Sequence, residues 1–429
     1  MFYSIYNVVS IFLILPVMAY HYYRSVSRGR APAFAERFGL FSKESLKVLN
    51  GRPVIWLHAV SVGESIAARP LLKSLRSRYP DHAIVVSNTT ETGRGIAAGF
   101  AEQDLCIYFP FDFLPAVYAA LNSIKPQIVI IMETEIWPNF TREAARRSIP
   151  VLLANGRISD RSYSRYLTFS WFFRHSLQLF SQLCMQTQID RERIVAIGAP
   201  PERTVVSGNL KYDIPYHQVT GEERTALRRQ YGIPLEALVV VAGSTHSGED
   251  EHIVAAYRSL LGEGAPLFLV LVPRHPERSE TVARLLEREH LAYQRQSAVN
   301  LNAAAGFSGG EVLLVDTVGQ LMKMYALADL AFVGGSLVPT GGHNLLEPAS
   351  VGIPTVFGPH MTNFREIAGL VLHYGAGIQI EGADQLADTW RTLIASVELR
   401  QVLGQNGLKL MRDKSGATQQ HMDVVGRYL

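Results

Sequence analysis

Residues 53–75, PVIWLHAVSVGESIAARPLLKSL, carry the pattern that decides the fold. An apolar run from Pro53 to Val60 meets a small-residue turn at Ser61–Gly63, and Ala67, Ala68, Leu71, Leu72 and Leu75 then recur at helical spacing. That is a strand, a turn and a helix. The rhythm returns with HAIVVSN (82–88), QIVIIME (127–133) and PVLLANG (150–156), each followed by helix-like residues. Near-continuous β-branched runs of this kind suit parallel strands covered by helices on both faces. A fresh series begins after residue 225 with ALVVVAGS (237–244), LFLVLVP (267–273), EVLLVD (311–316), DLAFVGG (329–335) and IPTVFG (353–358). The reading is α/β, with two doubly wound domains over 24–212 and 226–429 and a polar, proline-bearing linker at 213–225. The last helix is placed either in the second domain or packed back on the first.

Composition narrows the function classes. The chain has 429 residues, long enough for two to three domains at ~150 residues each. With 41 Lys+Arg against 38 Asp+Glu the net charge is +3, too small for a dedicated nucleic-acid binder, so no nucleic-acid partner is expected. Hydrophobic residues at 48% and charged residues at 18% exclude a disordered chain. Cys106 and Cys184 stand far apart in no metal-ligand spacing, which suits a reducing compartment and no zinc site. Residues 1–23 contain no Asp, Glu, Lys or Arg, and as a helix they would span about 34 Å at 1.5 Å per residue. They read as a membrane anchor, either spanning or lying in the interface, with a core helix as the soluble alternative. Arg24, Arg28, Arg30 and Arg37 follow the apolar run, which places the remainder on the cytoplasmic side.

In open parallel sheets ligands bind beyond the carboxyl ends of strands, so the loops there are the places to search. After the first strand, Glu64 of SVGE (61–64) stands at a helix start, where it either complements the helix dipole or acts as a general base. METEIWPN (132–139) puts Glu133 and Glu135 directly after a buried run; they either cap the helix that Pro138 begins or share a cleft with Glu64. Alternation along an extended chain would put both on one face. Lys211 of GNLKYD (208–213) is either a solvated lysine or a cation for an anionic donor. In the second half, AGSTHSGEDE (242–251) offers backbone N–H groups to an anion without the lysine of an NTPase loop or the spacing of a dinucleotide loop. Arg274 after Pro273 either holds a phosphate by two N–H bonds or is a solvated arginine. The loop 334–349, GGSLVPTGGHNLLEPA, lets the backbone approach a ligand, with a helix beginning near His343 or Asn344 and Glu347 one turn on. The use expected there is phosphate on the N–H groups and ribose hydroxyls on the carboxylate.

Taken together these residues resemble the Kdo transferases of lipopolysaccharide assembly, which place 3-deoxy-D-manno-octulosonic acid (Kdo) on the lipid A precursor. The resemblance runs nearly end to end, through RGRAPAFAERFG (28–39), SVGE, FPFD (109–112), METEIWPN, NGRIS (155–159), GNLKYD, AGSTHSGEDE, VPRHPER (272–278) and GGHNLLEPA (341–349). It implies the GT-B architecture of two Rossmann-like domains, donor on the second and acceptor on the first. It further implies Glu64 as general base and Glu133 with Lys211 as transition-state stabilisers. Pro273 and Arg274, the stretch Val318, Gly319 and Gln320, and Asn344, Leu345, Leu346 and Glu347 match the family's contacts to the CMP moiety. Gln320 departs from the Glu that the family often has. The implied partners are CMP-Kdo, the lipid A precursor and the membrane surface, with the enzyme on the cytoplasmic face of the bacterial inner membrane. No D-x-D motif occurs, which suits a transferase without a metal cofactor. A GT-B-like nucleotide-sugar epimerase and a membrane-tethered nucleotide-binding regulator are the alternatives.

Overall fold

The computed structural model describes residues 2–27, 32–298, 307 and 310–429, so Arg28, Arg30 and the start of the 28–39 motif lie outside the described residues. The chain forms two compact units, Met1–Asp213 with Lys414–Leu429, and Ile214–Asp413.

The first unit is built on seven parallel strands: β1 (Val54–His58), β2 (Ala83–Asn88), β3 (Leu105–Tyr108), β4 (Ile128–Met132), β5 (Val151–Gly156), β6 (Gln182–Met185) and β7 (Thr204–Val206), in the order β3-β2-β1-β4-β5-β6-β7. Successive side chains leave a strand on opposite faces, so β1 feeds two cores at once. Trp56 packs with Val85, Val129 and Phe140 on one face, while Ile55 and Leu57 pack with Leu71, Leu72 and Ile130 on the other. The second core is completed by Ala417, Met422 and Val425 of the last helix, Ala417–Val425, which therefore belongs to this unit. Asp213 accepts hydrogen bonds from the Gly416 and Thr418 N–H groups at its start. Strand order reverses direction between β1 and β4, so the loops after these two strands flank the switch point.

The N-terminal helix, Phe2–Val26, is long and apolar enough to cross a membrane, with mean hydropathy 1.9 over Phe2–Tyr23. Its less exposed positions recur every three or four residues, and it touches the first unit near both ends. Phe2 stacks on His175 at 4.6 Å, the Tyr6 hydroxyl donates to Asp112 Oδ2 at 2.8 Å, and Ser25 Oγ donates to Glu91 Oε1 at 2.5 Å.

The second unit repeats the plan with β8 (Leu238–Thr245), β9 (Leu267–Pro273), β10 (Tyr293–Arg295), β11 (Val312–Leu314), β12 (Leu330–Val333), β13 (Thr355–Phe357) and β14 (Gly377–Gln379), all parallel, in the order β10-β11-β9-β8-β12-β13-β14. Its switch point lies between β8 and β12. Most of the stretch expected as a linker is part of this unit. Thr220 and Glu223 form a reciprocal capping box on the helix Gly221–Gln230, whose Arg228 reaches Asp329 at 2.6 Å. A polar composition signals a helix start here as much as a loose chain.

Candidate active site

In the first unit the switch-point loops carry the acids. Ser61 caps the helix Val62–Arg78, and the Glu64 carboxylate reaches back over that cap. It accepts from Val60 N–H and from Ser61 Oγ, both at 2.8 Å. Glu64 is 8% exposed. Burial raises its pKa above the usual carboxylate value, the two hydrogen bonds oppose that, Glu133 adds to it and Lys211 subtracts. The structural use expected from the sequence is therefore present, and so is the proximity to Glu133 and Lys211 that a chemical use needs.

Glu133 follows β4 with φ +54°, a left-handed conformation uncommon for a side-chain-bearing residue. The alternation argument fails at this point because the chain is no longer extended. The charges converge all the same. Lys211 Nζ lies 3.7 Å from Glu133 Oε1, and the lysine is held by a short 3₁₀ turn, Leu210–Tyr212, whose Asn209 Oδ1 accepts from Lys211 N–H. The pKa of Glu135 is pushed up to about 7 by burial, then by Glu64 and Glu133. Neither Glu133 nor Glu135 caps the helix Pro138–Arg146. That task falls to Asp112, whose carboxylate accepts from Asn139 N–H at 3.0 Å and Phe140 N–H at 2.8 Å. With the cap supplied from elsewhere, three carboxylates and one ammonium face one another without a structural reason for all of them.

In the second unit one acid was not singled out from the sequence. Glu249, fully buried, accepts from the N–H groups of His246, Gly335, Ser336 and Leu337 at 2.7–2.9 Å. The glycine-rich loop is thus tied to the loop after β8 by a carboxylate, which engages the N–H groups at 335–337. The only sequence signal was an acid ending a small-residue turn. Further on, the expected helix start near His343 or Asn344 is corrected: the helix is Leu346–Ser350, with Asn344 Oδ1 accepting from Leu346 N–H at 3.1 Å. Gly341 and Gly342, at φ +102° and +75°, keep the preceding chain out of helical geometry.

Glu347 sits in that first turn, its pKa pushed up to about 7 by burial against the opposing charge of Arg274. Arg274 follows Pro273, the last residue of β9, and is exposed, its N–H bonded to Thr245 O at 3.0 Å. The buried ion pair of this region is made instead by Arg278 with Asp250. His246 and His343 stack with Nε2 atoms 2.8 Å apart, and burial with the neighbouring His246, Arg274 and His275 takes the pKa of His343 down to about 4. Val318 is 83% exposed, Gly319 has φ +83°, and Gln320 Oε1 accepts from the Tyr231 hydroxyl at 3.4 Å. Gln320 opens the helix Leu321–Leu327, whose Tyr325 hydroxyl is buried beside Glu347. Leu345 and Leu346 are fully buried and place the backbone rather than a side chain toward any ligand.

Two parallel α/β units, each with charged loops at its switch point, are the GT-B fold. The family described as 3-deoxy-D-manno-octulosonic-acid transferase (kdotransferase) matches residues 32–214. The 3-deoxy-D-manno-octulosonic acid transferase of Haemophilus influenzae is 36% identical over 397 residues, covering 92% of this chain and 91% of that protein. The chain belongs to the Kdo transferase family. Among solved structures, MurG of Acinetobacter baumannii is similar at TM-score 0.51 and 16% identity, covering 88% of this chain and 99% of that one. The UDP-GlcNAc 2-epimerase of Neisseria meningitidis is similar at 0.52 and 14%, covering 87% and 100%. These two share the fold alone.

Proposed function

We propose that the protein moves Kdo from CMP-Kdo to the lipid A precursor with inversion at the anomeric carbon. The observation that carries the mechanism is the convergence of Glu64, Glu133 and Lys211 at one switch point. Glu64 retains lone pairs beyond its two hydrogen bonds, and its burial makes it a stronger base than a solvated carboxylate. A hydroxyl of the acceptor disaccharide gives its proton to Glu64 as its oxygen bonds the anomeric carbon. The bond from that carbon to the CMP phosphate breaks, and CMP leaves with the electron pair. Glu133 and Lys211 then act on charge that develops between ground and transition state. On the second unit, Glu347 accepts from the ribose hydroxyls and Arg274 meets the phosphate; Pro273, Val318–Gln320 and Asn344–Leu346 shape the remaining nucleotide contacts. Cationic side chains and N–H donors take the part a divalent ion plays in other transferases. The apolar N-terminal helix holds the enzyme at the cytoplasmic face of the inner membrane, where an amphiphilic acceptor lies.

The test is incubation of the full-length protein in detergent with CMP-Kdo and lipid A precursor, with and without EDTA, and product masses read by mass spectrometry. A mass increase of one or more Kdo units in both samples, with matching CMP release, is expected. CMP release without a lipid product would refute the acceptor assignment, and loss of transfer in EDTA would refute the metal-free chemistry.

A further inference from the structure

Between the N-terminal helix and the FPFD loop lies a cavity of about 260 Å³, far more than the ~30 Å³ share of a single water. One wall is the helix itself, through Val9, Leu13 and Val17 at i, i+4 spacing, which are 38–52% exposed so that the space opens outward as a groove, and the other is Phe109, Phe111 and Phe113. From Tyr6 to His21 the helix side of the lining runs about 22 Å at 1.5 Å per residue, so the space is long and narrow.

The lining also carries Tyr6, Ser10, His21 and Asp112, and three of its residues have a buried polar atom with no protein partner: Arg37 Nε, Thr89 Oγ1 and Trp137 Nε1. Arg37 is 2% exposed, with its guanidinium over the Tyr108 ring and one Nη donating to Thr89 O at 2.9 Å. A buried N–H or O–H without an acceptor is unfavourable, so these groups can each still donate to a ligand oxygen. Trp137 also ends the loop that carries Glu133 and Glu135, so the groove and the carboxylate cluster share one loop. On its outer side the same helix exposes Ile5, Phe12 and Leu15, an apolar surface suited to lipid.

We propose that this cavity takes one acyl chain of the acceptor, with the chain's ester or amide carbonyl accepting from Trp137 Nε1 and Arg37 Nε. The inference rests on the lipid acceptor proposed above. It makes the N-terminal helix a wall of the acceptor site as well as an attachment, and it gives the enzyme a means of selecting acylated over bare disaccharide.

Full-length protein in micelles would be assayed with CMP-Kdo on the acylated acceptor and on the same disaccharide stripped of its acyl chains. Wild type should favour the acylated acceptor at least tenfold in kcat/KM, and Leu13→Trp, which fills the cavity, should reduce that ratio at least tenfold through KM. An unchanged ratio in Leu13→Trp would overturn the proposal. A second measurement does not depend on that variant folding: Trp137 fluorescence in a Trp171→Phe background, since Trp171 is 62% exposed while Trp56 and Trp390 are fully buried. Acceptor with brominated acyl chains should quench saturably, and unbrominated acceptor should reverse it. No quenching, or quenching by brominated phosphatidylglycerol that the acceptor does not displace, would overturn the proposal. If wild type transfers Kdo to neither acceptor, the proposed reaction fails while quenching still reports the cavity.

Discussion

Replacing Glu64 by Gln separates the two uses this side chain can have. The carboxylate now accepts from Val60 N–H and Ser61 Oγ at 2.8 Å each. An amide oxygen can keep the backbone bond, its NH2 group can donate to the Ser61 hydroxyl, and Gln is a regular member of the capping box. At most one hydrogen bond is weakened, so stability should change by about 1 kcal/mol or less. Burial that raised the Glu64 pKa also favours an uncharged group, which offsets part of that loss. Proton acceptance disappears, and removal of a general base costs about 10²–10⁴ in rate, or about 3–5 kcal/mol of barrier. Glu64→Ala should differ by leaving the Val60 N–H and the Ser61 hydroxyl without their acceptor, at a further ~1–3 kcal/mol of stability, while the Ser61 cap itself remains. The assay is CMP release and lipid product mass at saturating CMP-Kdo, alongside a thermal melt. Activity within threefold of wild type in a Glu64→Gln protein of matching melt would reduce Glu64 to a helix cap.

Glu347→Ala or Arg274→Ala should weaken CMP binding by about 1–3 kcal/mol, read by calorimetry, and unchanged affinity in both would move the nucleotide elsewhere. Glu135 has its folded pKa raised from 4.5 to about 7, so the folded state binds the extra proton and stability falls as pH rises between those values. Glu135→Gln should accordingly stabilise at pH 8 and be nearly silent at pH 4, and melts showing the opposite order would contradict the burial and like-charge account. Glu249→Ala should cost on the order of 3 kcal/mol or more, since four buried N–H groups lose their acceptor; a melt unchanged at pH 7 would mean water replaces the carboxylate at no cost. Deleting residues 2–23 removes the Tyr6–Asp112 and Phe2–His175 contacts, so the first unit should melt lower while CMP binding persists. Transfer to acylated acceptor should drop even in detergent, and full retention there would leave the helix as a tether alone.

The central strands were legible because they are continuous apolar runs buried on both faces. β1, β2, β4, β5, β8, β9, β11, β12 and β13 all fall within stretches that composition and spacing marked. β3, β7, β10 and β14 were not, since each is three or four residues long and partly exposed, and β6, Gln182–Met185, is buried but short and opens with a polar residue. The same limit applies to the site. Glu64, Glu133, Arg274 and Glu347 could be picked out because they lie in loops or first helical turns that follow recognisable strands, and Lys211 because GNLKYD stands just before the expected linker. Asp112 and Glu249 could not, because what matters about them is which distant N–H groups they face: Asn139 and Phe140 for one, Gly335 to Leu337 for the other. Spacing along the chain carries no trace of such partners.

Those partners also sort the acids by what they can still do. A carboxylate has about four lone-pair sites. Glu249 has four donors on it and Asp112 has three, from Asn139, Phe140 and Tyr6, so both are occupied in holding loops and can offer a substrate little. Glu64 has two donors, lies where Glu133 and Lys211 bear on its charge, and is raised in basicity by burial. The same count bears on the donor side. Because Glu249 engages the N–H groups at 335–337, those three are not free for the donor phosphate proposed above, and Arg274 is an exposed cation whose charge reaches Glu347. On the nucleotide placement proposed above, a phosphate at Arg274 weakens the attraction that opposes the raised pKa of Glu347 and so favours its protonated form, whereas ribose hydroxyls donating to the carboxylate favour the charged form. The two contacts therefore oppose each other through the proton on Glu347, and CMP affinity should vary with pH near 7, where Glu347 titrates.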